Sequence, residues 1–291
     1  MRLLVLVVPV AAALLVLTYL VFVRTEWGQR FDDVAFEGRS VEDPSVTKAT
    51  NDLLHSVTRP TLVLLTGAIV VFALARRRVR LAISAGAAIT CSVAVTEILK
   101  VHVLGRPDLD GIAGIPQNSF PSGHATIGMA ISLGMVMVAP HRARPLAAAV
   151  AIVVSMVFGV GVLATGWHRP SDTVGAYLVC VVVFGLVTLA LLAWRGGGDE
   201  AQRSMGVIEE KLSPRVALVA GLLAVAAAAV ALALTFQEDS LRSVEFAADY
   251  AFVCVVILLL ASAVVVGYHE LLRGISLDPP ATANTPGTLQ K

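Results

Sequence analysis

Residues 146–193 read LAAAVAIVVSMVFGVGVLAT, then GWHRPSDT, then VGAYLVCVVVFGLVTLALLA. Two apolar runs of about twenty residues, each long enough to cross a bilayer, flank one polar knot. A run of that length crosses only as a helix, because lipid gives the backbone amides no other partner. A membrane strand would alternate in polarity instead. The pattern recurs along the chain, at about residues 3–23, 60–74, 81–99, 126–139, 146–165, 174–193, 216–234 and 248–268. The expectation is an all-α, polytopic membrane protein with about eight transmembrane helices.

Composition agrees. The 291 residues are 57% hydrophobic and 15% charged, with a mean hydropathy of +0.81. An ordinary soluble domain carries about a quarter charged residues. The net charge of +1 carries no message about nucleic acid, and no basic stripe with interleaved aromatics points to one. Cys91, Cys180 and Cys254 all fall within apolar runs. They read as small packing residues, with no disulfide framework or metal-binding pair. The first run follows a single basic residue, Arg2, and exceeds a typical signal core; it reads as a retained first span.

Arginines and lysines set the orientation. Arg76-Arg77-Arg78 with Arg80 joins runs two and three, Arg142 with Arg144 joins four and five, and Arg195, Arg203, Lys211 and Arg215 join six and seven. The positive-inside rule puts these connections and both termini in the cytoplasm. The connections from Lys100 to His124 and from Trp167 to Asp172 then share the opposite face. The segment from Arg24 to Thr58, with seven acids against four Lys/Arg, reads as a solvated external loop with a short interfacial helix near residues 51–57. The expected organisation is a six-span core over 1–195 and a cytoplasmic connector over 196–215. A two-span appendage over 216–273 and a disordered tail over 274–291 follow.

Both external connections carry residues suited to phosphoryl chemistry. Pro121-Ser122-Gly123-His124 opens the fourth run. A small-residue turn at a helix start aims backbone N–H groups and the positive helix end at an anion, and His124 is placed to give a proton to a departing oxygen. In the second knot Pro170 fits a first helical turn, with Ser171 and Asp172 beside it. Asp172 there can accept a hydrogen bond from His168, fixing the tautomer and leaving the other ring nitrogen to attack phosphorus. Lys100 and Arg106-Pro107, at the outer end of the third run, either snorkel or neutralise phosphoryl oxygens; Glu97 lies one turn before Lys100. Asp108 and Asp110 lack a fixed spacing and make weak evidence for a divalent ion. No cofactor and no metal site is expected.

Lys…Arg-Pro, then Pro-Ser-Gly-His, then His-x-x-x-Asp, in this order and on one face, resembles the type-2 phosphatidic-acid phosphatase superfamily. Its membrane members are lipid phosphate phosphatases, and its soluble relatives include bacterial acid phosphatases and vanadium haloperoxidases. The resemblance spans about residues 60–193, with its signatures in 97–175. It implies a six-helix core and metal-independent catalysis. His168 would form a phosphohistidine, Asp172 would orient it, and His124 would be the general acid. Ser122, Gly123, Lys100 and Arg106 would hold the phosphoryl oxygens.

Two departures carry expectations of their own. The family's first signature usually has six residues between Lys and Arg-Pro, and here Val101 to Gly105 is five. One residue is about 100° of helix rotation, so Lys100 needs an irregular turn, or His102 takes part. The third signature usually carries Ser-Arg about six residues before the nucleophile, where this chain has Gly161-Val162. Arg169 is the candidate substitute.

The resulting expectation is a lipid-phosphate or polyprenyl-pyrophosphate phosphatase of the bacterial cytoplasmic membrane, its site facing outside. Its partners are a phosphorylated lipid substrate and membrane lipids, and a homo-oligomer is compatible with this. A phosphotransferase and a non-catalytic binder or carrier of lipid phosphates compete with it, the latter because of the missing arginine.

Overall fold

A computed structural model describes residues 2–41, 44–109, 118–195 and 242–273. Among them are nine α-helices and no strand. α1 (Arg2–Thr18) runs through a π-turn, Tyr19–Val23, towards α2 (Glu26–Glu37). α3 (Pro44–Ser56) is followed by α4 (Arg59–Ala75), and the two are bent by 71°. α5 (Val79–Ile98) ends in a second π-turn, Leu99–Val103. α6 (Gly123–Val138), α7 (Arg144–Ala164), α8 (Pro170–Arg195) and α9 (Arg242–Arg273) complete the bundle.

Five segments are long and apolar enough to cross a membrane, namely Leu3–Val23, Val79–Val103, Arg144–Ala164, Pro170–Trp194 and Asp249–Arg273. The bent α3–α4 pair makes a sixth if taken as one span. The chain is a multi-pass, all-helical membrane protein. The apolar run expected at 216–234 lies outside the described residues, as do the connector and the tail.

α6, the fourth expected span, has 16 residues, about 24 Å at 1.5 Å per residue and short of the hydrocarbon thickness. Its surroundings explain this. Ala125, Thr126, Met129, Ala130, Leu133, Val136 and Met137 bury it on every side, so protein rather than lipid sheathes it. Two glycines allow the close packing. A Cβ at Gly128 would stand 2.5 Å from the Phe158 side chain, and one at Gly134 2.8 Å from Ile89.

The segment from Arg24 to Thr58 is not a solvated loop with one short helix. It folds into two helices, and α2 turns polar residues inward. The Thr25 hydroxyl caps α2 by accepting the Gly28 N–H at 3.0 Å. Gln29, Asp32, Asp33 and Phe36, spaced as one helix face, are all buried.

The last helix corrects a second expectation. α9 is no appendage but packs against α2, α6, α7 and α8. Tyr268 shares a hydrogen bond with Thr188 at 3.0 Å and sets its ring edge-on to Phe184 at 5.7 Å. Arg144 donates to the Leu272 carbonyl at 3.0 Å, covering an orphan acceptor at the end of α9.

The arginine-rich connections gather at one end of the bundle. There Arg76 donates to the Val138 carbonyl and Arg80 to that of Trp194, both at 3.5 Å. The two histidine-bearing knots lie at the other end.

Candidate active site

The tip of α6 organises the site. Ser122 is the N-cap, accepting the Ala125 N–H at 3.3 Å. Its own N–H donates to the Asp172 carbonyl at 3.0 Å, which ties the two knots together. Ser122 is wholly buried. Its amide and hydroxyl oxygen are therefore engaged in structure, and the amides of Gly123 and His124 lead the helix. Of the backbone N–H groups expected to face an anion here, that of Ser122 is thus taken by Asp172.

Lys100 stands over this tip. A Cβ at Gly123 would lie 3.5 Å from Lys100 Nζ and 3.1 Å from Glu97 Oε1. Lys100 and Glu97 themselves pair at 3.4 Å. The irregular turn that the five-residue gap requires is present: the Leu104 N–H donates to the Leu99 carbonyl at 2.8 Å, five residues back. A π-turn of this kind inserts a residue into the helical register and redirects the side chains around it. His102 is exposed. Asn118 fixes the far side, its amide donating to the carbonyls of Lys100 (2.9 Å), Leu104 (2.8 Å) and Phe120 (3.3 Å). One side chain thus locks the lysine turn to the Pro121-Ser122-Gly123-His124 turn. Tyr19, from the end of α1, donates to the Gly105 carbonyl at 2.8 Å and packs on Phe120.

His168 and Asp172 pair as expected, Nδ1 to Oδ2 at 3.2 Å. The same oxygen accepts the Arg169 N–H at 3.0 Å, and Asp172 is fully buried. With Nδ1–H donating to that carboxylate, Nε2 carries the free lone pair of the ring. His124 is half-buried and lies edge-on to Trp167 at 5.0 Å, and Trp167 also meets His55 edge-on at 4.6 Å. Burial lowers the His124 pKa from its ordinary value, and the charges of His168, Lys100 and His55 lower it further. The two imidazoles thus feel each other across one site.

The arginines are held from α2. Arg106 is buried against Asp32, Nη2 to Oδ2 at 3.7 Å, and neither Nη1 nor Nη2 has a hydrogen-bond partner among the described residues. Asp32 also accepts the Ser171 N–H at 3.0 Å and the Ser171 hydroxyl. Burial pushes the Asp32 carboxyl up to about 7; Arg106 opposes this and Asp172 adds to it. Arg169 directs Nε to Asp33. Burial works against its charge, but the Asp33 bond raises the pKa above the usual arginine value. Arg169 Nη1 is buried and has no hydrogen bond among the described residues. Gln29 completes the brace, donating to the Pro107 carbonyl at 2.7 Å and accepting the Leu109 N–H at 3.2 Å.

Lys100, Gly123, His124, His168 and Asp172 are therefore brought together, and Ser122 joins the two turns. Arg106 and Arg169 join through carboxylates that composition alone marks as solvated. Asp110 lies outside the described residues. The signal for α2 was the spacing of Gln29, Asp32, Asp33 and Phe36 behind a capping Thr25.

The sequence model of the PAP2 superfamily matches residues 81–195. Over these residues, less than half of its length, the chain is similar to the PAP2 superfamily. No curated protein and no solved structure matches the chain. PAP2 proteins are in general phosphatases, acting on lipid phosphates. The PAP2 region holds both histidine turns, Lys100, Arg106 and Asn118. Tyr19, Gln29, Asp32, Asp33 and His55 come from outside it.

Proposed function

We propose that the protein hydrolyses a phosphorylated or pyrophosphorylated lipid through a phosphohistidine, on the extracytoplasmic face of a bacterial cytoplasmic membrane. The observation that carries this reading is the His168–Asp172 pair beside His124 at the tip of α6. His168 Nε2 attacks phosphorus, forming a P–N bond as the P–O bond to the lipid breaks, and His124 gives its proton to the leaving oxygen. Neutral His124 then takes a proton from water as that water attacks phosphorus. The P–N bond breaks and inorganic phosphate leaves. Asp172 holds the imidazole and stabilises its cation. Lys100, the buried nitrogens of Arg106 and Arg169, and the Gly123 and His124 amides offset charge on the phosphoryl oxygens, the main need of phosphoryl transfer. The arginine-rich turns gather at the opposite end of the bundle, which supports an outward site.

Phosphate release from a panel of lipid phosphates tests this. His168→Ala is expected to fall to background and His124→Ala by about 10²–10⁴-fold, with EDTA leaving the wild type active. A wild type that releases no more phosphate than His168→Ala on any lipid overturns the reading. Binding without turnover would instead support a non-catalytic carrier, which the buried Val162, where the family has arginine, favours.

A further inference from the structure

Asn118 has no part in the proposed chemistry, yet its side chain is bonded to both turns that meet at the tip of α6. α5 and its π-turn end at Val103, so the last carbonyls there lack partners along the helix. The Leu104 N–H donates to the Leu99 carbonyl at 2.8 Å and the Gly105 N–H to the Tyr19 hydroxyl at 3.3 Å. The N–H groups four and five residues beyond Lys100 are therefore committed elsewhere. Asn118 supplies the donor to the Lys100 carbonyl instead, at 2.9 Å, and reaches the Leu104 carbonyl at 2.8 Å. On its other side Oδ1 accepts the Phe120 N–H at 3.2 Å. Carbonyls facing its nitrogen and an N–H facing its oxygen leave one orientation for the amide. Serine lacks the second donor and aspartate lacks both.

The Phe120 end of this link is anchored in the bundle. Phe120 is wholly buried, and its ring fills a slot on α8 where a Cβ at Gly175 would come within 2.5 Å. Tyr19 packs on the same ring at 5.8 Å. Two residues further on, Ser122 caps α6. Asn118 thus ties the turn bearing Lys100 to the tip of α6, where Nζ stands 3.5 Å from the place of a Cβ on Gly123. The ion pair of Lys100 with Glu97 does not do this, because Glu97 lies one turn back on the same helix and its side chain is 53% exposed.

We propose that Asn118 is a positioning residue that seats Lys100 over the N-terminus of α6, so that the ammonium and the helix amides face one phosphoryl group. The consequence for turnover rests on the proposed reaction; the consequence for His124 rests on geometry alone. Burial is the largest cause that depresses the His124 pKa, followed by the charges of His168 before α8, Lys100 and His55 on α3, while Glu97 on α5 opposes them. The His124 ring therefore reports where the Lys100 charge stands.

The test is a double-mutant cycle on the full chain in micelles. With labelled histidine, NMR titration gives the His124 pKa, its resonance assigned against His124→Gln. Asn118→Ala should raise this pKa, as Lys100→Met does, and should add little in the Lys100→Met background. Phosphate release should follow the same cycle, measured as kcat/KM on the most active lipid phosphate. Asn118→Ala should cost at least about tenfold alone and much less after Lys100→Met. A general loosening of the fold would act alike with and without Lys100. An unchanged His124 pKa in Asn118→Ala, or effects of equal size in both backgrounds, overturns the proposal. If Asn118→Ala does not fold, Asn118→Ser, which keeps one donor, carries the same cycle and is judged by the same outcomes. A wild type that releases no phosphate, with the His124 cycle as expected, overturns the hydrolase and leaves the role of Asn118 standing. Phosphate release with an additive cycle overturns Asn118 alone.

Discussion

In the proposed reaction His124 carries a proton to the leaving oxygen while half-buried among positive charges. Burial, then His168, Lys100 and His55, push its pKa below the ordinary 6.5, with Glu97 the small opposing influence. A general acid acts in its protonated form, and kcat/KM reports the free enzyme. The rate therefore falls as pH rises through the lowered value, and the falling limb lies on the acid side of 6.5. Lys100→Met removes one cause of the depression. Its limb should move to higher pH even though the loss of a phosphate-facing cation lowers the rate throughout. A pH profile of kcat/KM for both proteins checks this, and a limb that stays in place or moves down in Lys100→Met would remove His124 from the role.

At the scale of the element, α2 decides whether the arginines are usable. Arg169 and Asp33 are both nearly inaccessible, with side chains 3% and 5% exposed. Removing one partner of such a pair strands a buried charge and costs about 3–5 kcal/mol, whereas replacing both by apolar groups is often close to neutral. Asp33→Leu should therefore lower the unfolding midpoint in micelles sharply, and Asp33→Leu with Arg169→Met should recover most of the loss. A double variant no better than the single would mean that the two do not act as a pair. The same helix marks where sequence reasoning stopped. α7 and α8 were legible, runs 146–165 and 174–193 becoming Arg144–Ala164 and Pro170–Arg195, because lipid forces apolar residues into helices. So was the pairing of His168 with Asp172, four residues apart on one short turn. Asp32 and Asp33 were not, because an acid on an external helix is ordinarily solvated. Only tertiary partners from 74 to 139 residues away in sequence, Arg106, Arg169 and Ser171, turn that face inward.

Over the whole molecule, a polar end with two histidine turns faces away from an end whose arginines cap helix termini. Arg76, Arg80 and Arg144 donate to the carbonyls of Val138, Trp194 and Leu272, so these cations serve the helix dipoles as well as topology. The polarity of the bundle is thus built into its packing. Which compartment each end meets is set by the bias of arginine towards the cytoplasm. Asp52, exposed on α3 beside the site, and Arg142, exposed in the turn before α7, mark the two ends. In a background with Cys91, Cys180 and Cys254 replaced by alanine, Asp52→Cys should react with a membrane-impermeant maleimide in intact cells. Arg142→Cys should react only after permeabilisation. The reverse pattern would put His124 and His168 in the cytoplasm, where an outer-leaflet lipid phosphate cannot reach them. It would leave their geometry intact while assigning the phosphatase to the opposite leaflet.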